Sequence, residues 1–384
     1  VVLAGAFVTY GGVSLFVAFF VLAPMAHTLF KEANIPNKLM PAAIVLGTST
    51  FTMSALPGTP AIQNAIPMPF FGTTPFAAPG LGLIASAVML AFGLWWLHRC
   101  ERQARAAGVG YVDALVPALE QVAEDPLVRE RAVTAREFDP QEMSHGQRSR
   151  DLPTFWVAAL PLLTVVAVNL VMSFWILPAM DLDFLAQPQW GPTSLAAVGG
   201  VWSVVLGLAT AIALLIALNH RRLPHLRDSM DAGANAAALP VLSVSSLVGF
   251  GAVVAALPAF ELVKQWVLGL DGGPLVSLAI STNVLAALTG SASGGLTIAL
   301  DALGSTYLQL AYEMGIDPAL MHRVAVIGAG TLDSLPHNGA VVTLLAVCGS
   351  THKKSYFDIV IVGIIGPILA LVAVIALGTA FGSF

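Results

Sequence analysis

Nine residues, Thr331-Leu332-Asp333-Ser334-Leu335-Pro336-His337-Asn338-Gly339, hold an acid, an imidazole, an amide and a hydroxyl between two apolar runs, Val324 to Ala329 and Ala340 to Val347. Asp333 and His337 are spaced i and i+4, so an unbroken helix would put them on one face. Pro336 argues against that continuity. A carboxylate inside a membrane is costly and marks a functional position. Histidine changes charge near neutral pH, so the two together could carry a coupling proton. Each also has a plainer role. Asp333 could cap the half-helix that follows, and His337 could be a neutral ring bonded to backbone or substrate.

Three more islands interrupt apolar sequence: Thr9–Ser14, Ser54–Thr59 and Gly290–Thr297. Glycines let backbone N–H groups come close to a ligand, and free N–H groups at helix starts suit an anion such as a carboxylate. The candidate substrate-binding residues are therefore Tyr10 (as a pocket wall), Gly11, Gly12, Ser14, Ser54, Gly58, Thr59, Ser291, Ser293, Gly294, Gly295, Thr297, Ser334, His337 and Asn338. Asp333 and His337 are the candidate proton carriers. No Lys or Arg falls at any of the four breaks, so helix dipoles and a co-transported cation are expected to balance an anion's charge. Asp301 reads as a group facing the outer aqueous side, Glu261 and Lys264 as a surface pair, and Trp95 and Trp96 as interfacial anchors. Cys100 and Cys348 fit no metal or disulfide spacing, and no cofactor motif is present.

These islands must be positioned by membrane helices. The 384 residues are 57% hydrophobic and 10% charged, with mean hydropathy +0.82, against about 25% charged residues in soluble domains. The chain reads as an all-α integral membrane protein. Uninterrupted spans of about 20 apolar residues are expected at Phe76–His98, Thr154–Met180, Ser194–Leu218, Ala232–Leu257 (with Pro240 and Pro258 as kink or end signals) and Tyr356–Phe381. The broken segments are Val1–Phe30, Leu39–Pro67, Gly273–Tyr312 and Pro318–Cys348. Residues 99–151 form a polar linker in which Tyr111–Glu124 could be helical, and Phe260–Leu270 reads as a short surface helix. Basic residues mark cytoplasmic loops. Arg99, Arg102, Arg105, Arg129, Arg131, Arg136, Arg148 and Arg150 place the linker inside, as do Arg221, Arg222 and Arg227 and then Lys353 and Lys354 for their loops. Lys264 and Arg323 run against the pattern near outer ends. The charges balance if Val1–Phe30 and Gly273–Tyr312 each enter and leave on one side, as re-entrant hairpins.

The chain also repeats. Gly11-Gly12-Val13-Ser14-Leu15 parallels Gly294-Gly295-Leu296-Thr297-Ile298, and Thr52–Thr59 parallels Thr331–Asn338 with Leu-Pro in register. Residues 1–98 and 152–384 thus read as two inverted-topology repeats, each with a re-entrant hairpin and a broken transmembrane helix, joined by the linker. Such repeats form a substrate site where discontinuous helices meet near the midplane. Three spans precede the hairpin in the second repeat and none in the first, so N-terminal spans of a longer protein are expected to be missing.

The stretches LAGAFVTYGGVSLF (3–16), PAAIVLGTSTFTMSALPGTPAIQN (41–64), GSASGGLTIAL (290–300) and GAGTLDSLPHNGAVVTLLAVC (328–348) resemble the gluconate:proton symporter family of bacterial permeases, within the ion-transporter superfamily. The resemblance covers essentially the whole chain. It departs at Ser334-Leu335-Pro336-His337-Asn338, where the best-known gluconate carriers tend to show a Ser-His-Val-Asn-Asp-like break, which points to a distant branch. The resemblance implies paired hairpins and broken helices around the site and a homodimer scaffold. The expected function is import of a small organic anion, a hydroxy or sugar acid such as gluconate or 3-hydroxybutyrate. Import would run by proton symport with alternating access, across the bacterial inner membrane. A sodium-coupled carboxylate carrier or an anion channel is the alternative. A membrane enzyme fits less well, because the Asp–His pair has no nucleophile partner. No basic stripe supports nucleic-acid binding.

Overall fold

Among the described residues the long apolar runs fold as helices, the arrangement in which one segment satisfies its own backbone in lipid. The computed structural model describes residues 1–112, 125–134, 151–223, 225–258, 261–262, 265–266, 269 and 272–384, and among them there is no strand. The first half contains α1 (Val2–Tyr10), α2 (Leu15–Glu32), α3 (Met40–Thr48), the single turns α4 (Phe51–Ser54), α5 (Ile62–Ala65) and α6 (Met68–Phe71), and the long α7 (Pro79–Ala106). A linker helix α8 (Pro126–Thr134) follows. Next comes α9 (Phe155–Val171), which runs on through a π-turn (Met172–Ile176) to Leu177–Ala179. The remaining helices are α10 (Leu195–Asn219), α11 (Leu226–Ala255), α12 (Gly273–Thr289), α13 (Ala292–Glu313), α14 (Pro318–Thr331), α15 (Gly339–Val347), α16 (His352–Val360) and, after a π-turn at Ile361–Ile365, α17 (Gly366–Phe381).

Five of these segments are long and apolar enough to cross a bilayer: Leu15–Glu32, Pro79–Ala106, Phe155–Ala179, Leu195–Arg222 and His352–Phe381. At about 1.5 Å per residue, the four longer ones exceed a hydrocarbon core of about 30 Å. Two expectations about α7 and α11 are corrected. α7 does not stop at His98 but continues to Ala106, two turns into the segment read as linker. α11 starts at Leu226, ahead of Ala232, and Pro240 does not end it. Tyr111–Glu124 and Phe260–Leu270 lie largely outside the described residues, as does Lys264 of the expected surface pair.

The two broken helices form the centre. Every residue of α3 is buried, as is every residue of α14 from Leu320 to Thr331. In each half the hairpin's first arm packs on the broken helix, α1 on α3 and α12 on α14. Glycines permit both approaches: a Cβ on Gly47 would sit 2.4 Å from the Val2 carbonyl oxygen, and one on Gly328 would sit 2.4 Å from Thr282 Oγ1. The last helix of each half, α7 and α17, pack on each other, and α9 pairs with α10 at the periphery. There Trp156, Trp175 and Trp202 stay exposed, a face that suits lipid. The linker helix α8 docks on α15, directly behind the second break, with Val128 buried.

Candidate functional site

The first break opens after α3. Hydroxyls make up for the ladder bonds lost there: Thr48, Thr50, Thr52 and Ser54 each return a bond to the carbonyl four residues earlier, on Ile44, Leu46, Thr48 and Thr50. Beyond Ser54 the chain leaves the helix, and its carbonyls are taken one by one by side chains of other elements. The Ser54 carbonyl accepts from Arg323 Nη1 (3.2 Å), Pro57 from the Tyr10 hydroxyl (2.7 Å), Gly58 from Asn169 Nδ2 (3.1 Å) and Thr59 from Asn64 Nδ2 (3.0 Å). Gly58 turns the chain with φ +79° and lies against Phe76, where a Cβ would sit 2.5 Å from the ring.

Behind this loop is a buried polar network. Asn64 Nδ2 also donates to the Pro75 carbonyl at 3.0 Å, so Asn64 Oδ1 faces His322 Nε2 at 3.1 Å and Arg323 Nη1 at 3.5 Å. The other His322 nitrogen lies 2.6 Å from the Thr73 hydroxyl. Nε2–H donates to the amide oxygen, and in a neutral ring Nδ1 accepts from Thr73. Arg323 has 0% exposure. Its Nε and Nη2 both donate to the Ala77 carbonyl, at 3.2 and 2.6 Å. This corrects one expectation: a cation does stand against a break, supplied by a distant helix.

The second break follows α14, through one tight turn at Leu332–Ser334. Asp333 is buried, and its Oδ1 accepts from the backbone N–H of Ala292 (2.8 Å) and from Asn338 Nδ2 (2.7 Å). Asn338 Nδ2 also donates to the Gly290 carbonyl at 2.7 Å, while its Oδ1 takes the Ala340 N–H at 2.7 Å and caps α15. The cap of α15 is thus Asn338. Asp333 instead reaches across to the first residue of α13. His337 and Asp333 do not share a face, because no helix persists between them. His337 is exposed, and its Nε2 donates to the Ala287 carbonyl at 3.1 Å, near the end of α12. Tyr356 and His352 complete the hold, bonding the carbonyls of Ser334 (3.2 Å) and Pro336 (2.8 Å).

The hairpin tips also differ from expectation. Gly290 ends α12 with φ +64°, and Ser291 caps α13 by accepting from the Gly294 N–H at 3.2 Å. Gly294 and Gly295 lie inside α13, where Gly295 serves close packing: a Cβ there would sit 2.2 Å from the Ala286 nitrogen. Gly11 and Gly12 form the turn itself, Gly12 with φ +97°, ahead of Ser14 at the start of α2. The two glycine pairs thus do different jobs: Gly11 and Gly12 make a turn, while Gly294 and Gly295 lie in a helix, and it is Gly290 that takes the left-handed turn position before Ser291. Ser14 is exposed and makes no cap bond. Ser293 is buried, 3.1 Å from the Ser291 hydroxyl. Thr297 is buried with its hydroxyl unpartnered, and Asp301 Oδ2 one turn on is likewise buried without a partner. The broken helices cross at their breaks, a Cβ on Gly330 falling 3.2 Å from Ser54 Cβ. Ser334 is buried on the same side of α14, against Gly363.

The candidate residues therefore fall into two groups. Tyr10, Ser54, Gly58 and Thr59 gather at the first break with Asn64, Asn169, His322 and Arg323, which sequence reasoning missed. Ser291, Ser293, Asp333, His337 and Asn338 gather at the second with His352 and Tyr356, also missed. The signal for the first omission was present: a His-Arg pair in a helix whose only other polar residue is its last, Thr331.

Five apolar helices of bilayer length make this a multi-pass membrane protein, and its similarity to a known chain makes it a transporter. Over 387 aligned residues it is 38% identical to a Bacillus subtilis (strain 168) protein named "Uncharacterized transporter YxjC", a match covering 98% of this chain and 78% of that one. The chain belongs to the family of that transporter. No family model matches it, and no solved structure does.

Proposed function

We propose that this protein imports a small organic anion, a hydroxy or sugar acid such as gluconate or 3-hydroxybutyrate, by proton symport with alternating access. On this reading it is a homodimeric inner-membrane permease of the gluconate:proton symporter type. The two hairpins are re-entrant, the halves are inverted repeats, and no substrate bond is made or broken. The observation that carries the reading is Asp333, a buried carboxylate that accepts from a hairpin-tip N–H and a break-capping amide through one oxygen. Charge-assisted bonds are roughly twice as strong as neutral ones. A proton arriving on Asp333 removes the charge that both donors face and weakens the hold between hairpin and broken helix. Proton binding is thereby linked to movement of the tip, which is what coupling requires. Substrate oxygens would meet the hydroxyls and backbone of both breaks.

A second reading rests on the hydroxyls of Ser291 and Ser293, 3.1 Å apart beside the Asp333-bound Ala292. With the carboxylate they make an oxygen-rich set of the kind that suits sodium. Proteoliposomes loaded with one buffer and diluted into a C3–C6 hydroxy-acid panel decide between them. An inward pH gradient is expected to drive uphill uptake with sodium absent. Uptake that needs a sodium gradient and ignores pH would replace proton coupling with the second reading.

A further inference from the structure

The two breaks carry opposite charge. The second holds Asp333. The first has the carbonyls of Ser54, Pro57, Gly58 and Thr59 covered by donors from α14, α1, α9 and α5, one of them a guanidinium. A loop whose carbonyl oxygens already accept is poorly disposed to coordinate a cation. A helix dipole does not account for anion binding there either. The second break is followed by nine residues of helix, capped by Asn338, but the first only by the four-residue turn α5. Partial charge from aligned peptides is thus small at the one break that carries no acid.

Arg323 fills that gap. All its hydrogen-bond acceptors are neutral oxygens, the carbonyls of Ala77 and Ser54 and the amide of Asn64. No carboxylate pairs with it among the described residues. The charge is therefore held in place by dipoles but not cancelled, in a low-dielectric interior where its field reaches far. A charge buried this completely is expensive and is kept for a reason.

We infer that Arg323, contributed by the second half, is the fixed positive charge that selects an anion at the first break, so that the substrate carboxylate is held at Ser54–Asn64 while the coupling cation is held at Asp333. This rests on the transport reading above and adds to it where the anion binds and what attracts it. Arg323 is a positioning residue, acting through its field and through the loop it braces.

The test separates charge from bracing. R323K keeps the charge and loses the fork; R323Q keeps hydrogen bonding and loses the charge. Binding of 3-hydroxybutyrate and gluconate is measured by radioligand titration on detergent-purified protein, with melting temperature followed in parallel. R323Q is expected to lose at least about tenfold in affinity and R323K only a few-fold, since a full charge in a poorly screened interior is worth at least that. Equal losses in the two, or an R323Q affinity within twofold of wild type, would overturn the assignment. If R323Q does not fold, N64D answers the same question, because it sets a carboxylate against the guanidinium. It is expected to keep its fold at some cost, the Thr59 and Pro75 carbonyls losing a donor, and to lose the acid; wild-type affinity in N64D overturns the proposal. Failure of wild type to bind any hydroxy acid counts against the transport reading and the anion site together, whereas binding to all variants alike counts against Arg323 alone.

Discussion

Asp333→Asn isolates the charge at the second break with little change of shape. The bonds from the Ala292 N–H and from Asn338 Nδ2 end on the same Asp333 oxygen, Oδ1, and an asparagine side chain offers one carbonyl oxygen in that place. The variant can keep these two contacts and lose their ionic part. Hydrogen bonds to charged groups contribute about 1.5–3 kcal/mol against about 1 for neutral ones, so each contact weakens by about 1 kcal/mol and the pair by about 2. That corresponds to a roughly 30-fold shift in the equilibrium between docked and released tip. The readout is built in, because one of the donors is a backbone amide. Hydrogen exchange at Ala292 and its neighbours from Gly290 to Gly295 is expected to quicken about 30-fold in the variant, with Asp301→Asn as a control that leaves the tip unchanged. In proteoliposomes the same variant should exchange bound substrate but not accumulate it uphill. Tip exchange within threefold of wild type would refute the idea that this charge holds the hairpin, and with it the structural basis of proton coupling.

His337→Ala removes the exposed imidazole that ties the second break to the end of α12; about 1 kcal/mol for one neutral bond should appear as a several-fold higher KM for uptake with little change in melting temperature, and a wild-type KM removes His337 from the site. Gly295→Ala drives a methyl against the backbone of Ala286 at 2.2 Å, where neither helix can yield. It should destabilise by about 3 kcal/mol or more, while Gly233→Ala, in an open helix position, should stabilise slightly; equal melting temperatures for the two would show that the hairpin arms are not packed as described.

Some of this architecture could be read from residues alone, for physical reasons. Spans such as Leu195–Arg222 are legible because a bilayer demands about 20 apolar residues in a row. The breaks are legible because Leu56-Pro57 and Leu335-Pro336 cannot continue a helix. Matching by residue identity failed at the hairpins. Gly294 and Gly295 resemble Gly11 and Gly12 as letters, but one pair makes a turn and the other lets two helices touch. The serines that stand just ahead of α2 and α13, Ser14 and Ser291, mark the tips by position. Asp333 stood out in the sequence as an acid in apolar surroundings, but its bond to Ala292, 41 residues away, could not be guessed. Arg323 was the least legible. Basic residues near helix ends usually reach water, and nothing local distinguishes that case from one in which carbonyls of a distant segment take water's place.

That last contact bears on how the protein is made. The carbonyl of Ser54 finds its donor 269 residues downstream and that of Ala77 finds it 246 residues downstream, both on Arg323. At about 5–20 residues per second, roughly ten to fifty seconds separate emergence of the first break from arrival of the side chain that completes it. An unpaired carbonyl in hydrocarbon costs several kcal/mol, so during that interval the early half must keep its break in contact with water or with the insertion machinery. It cannot finish folding as an independent unit. Completion of the early half awaits the late one, and a chain truncated before Arg323 leaves those carbonyls without their donor.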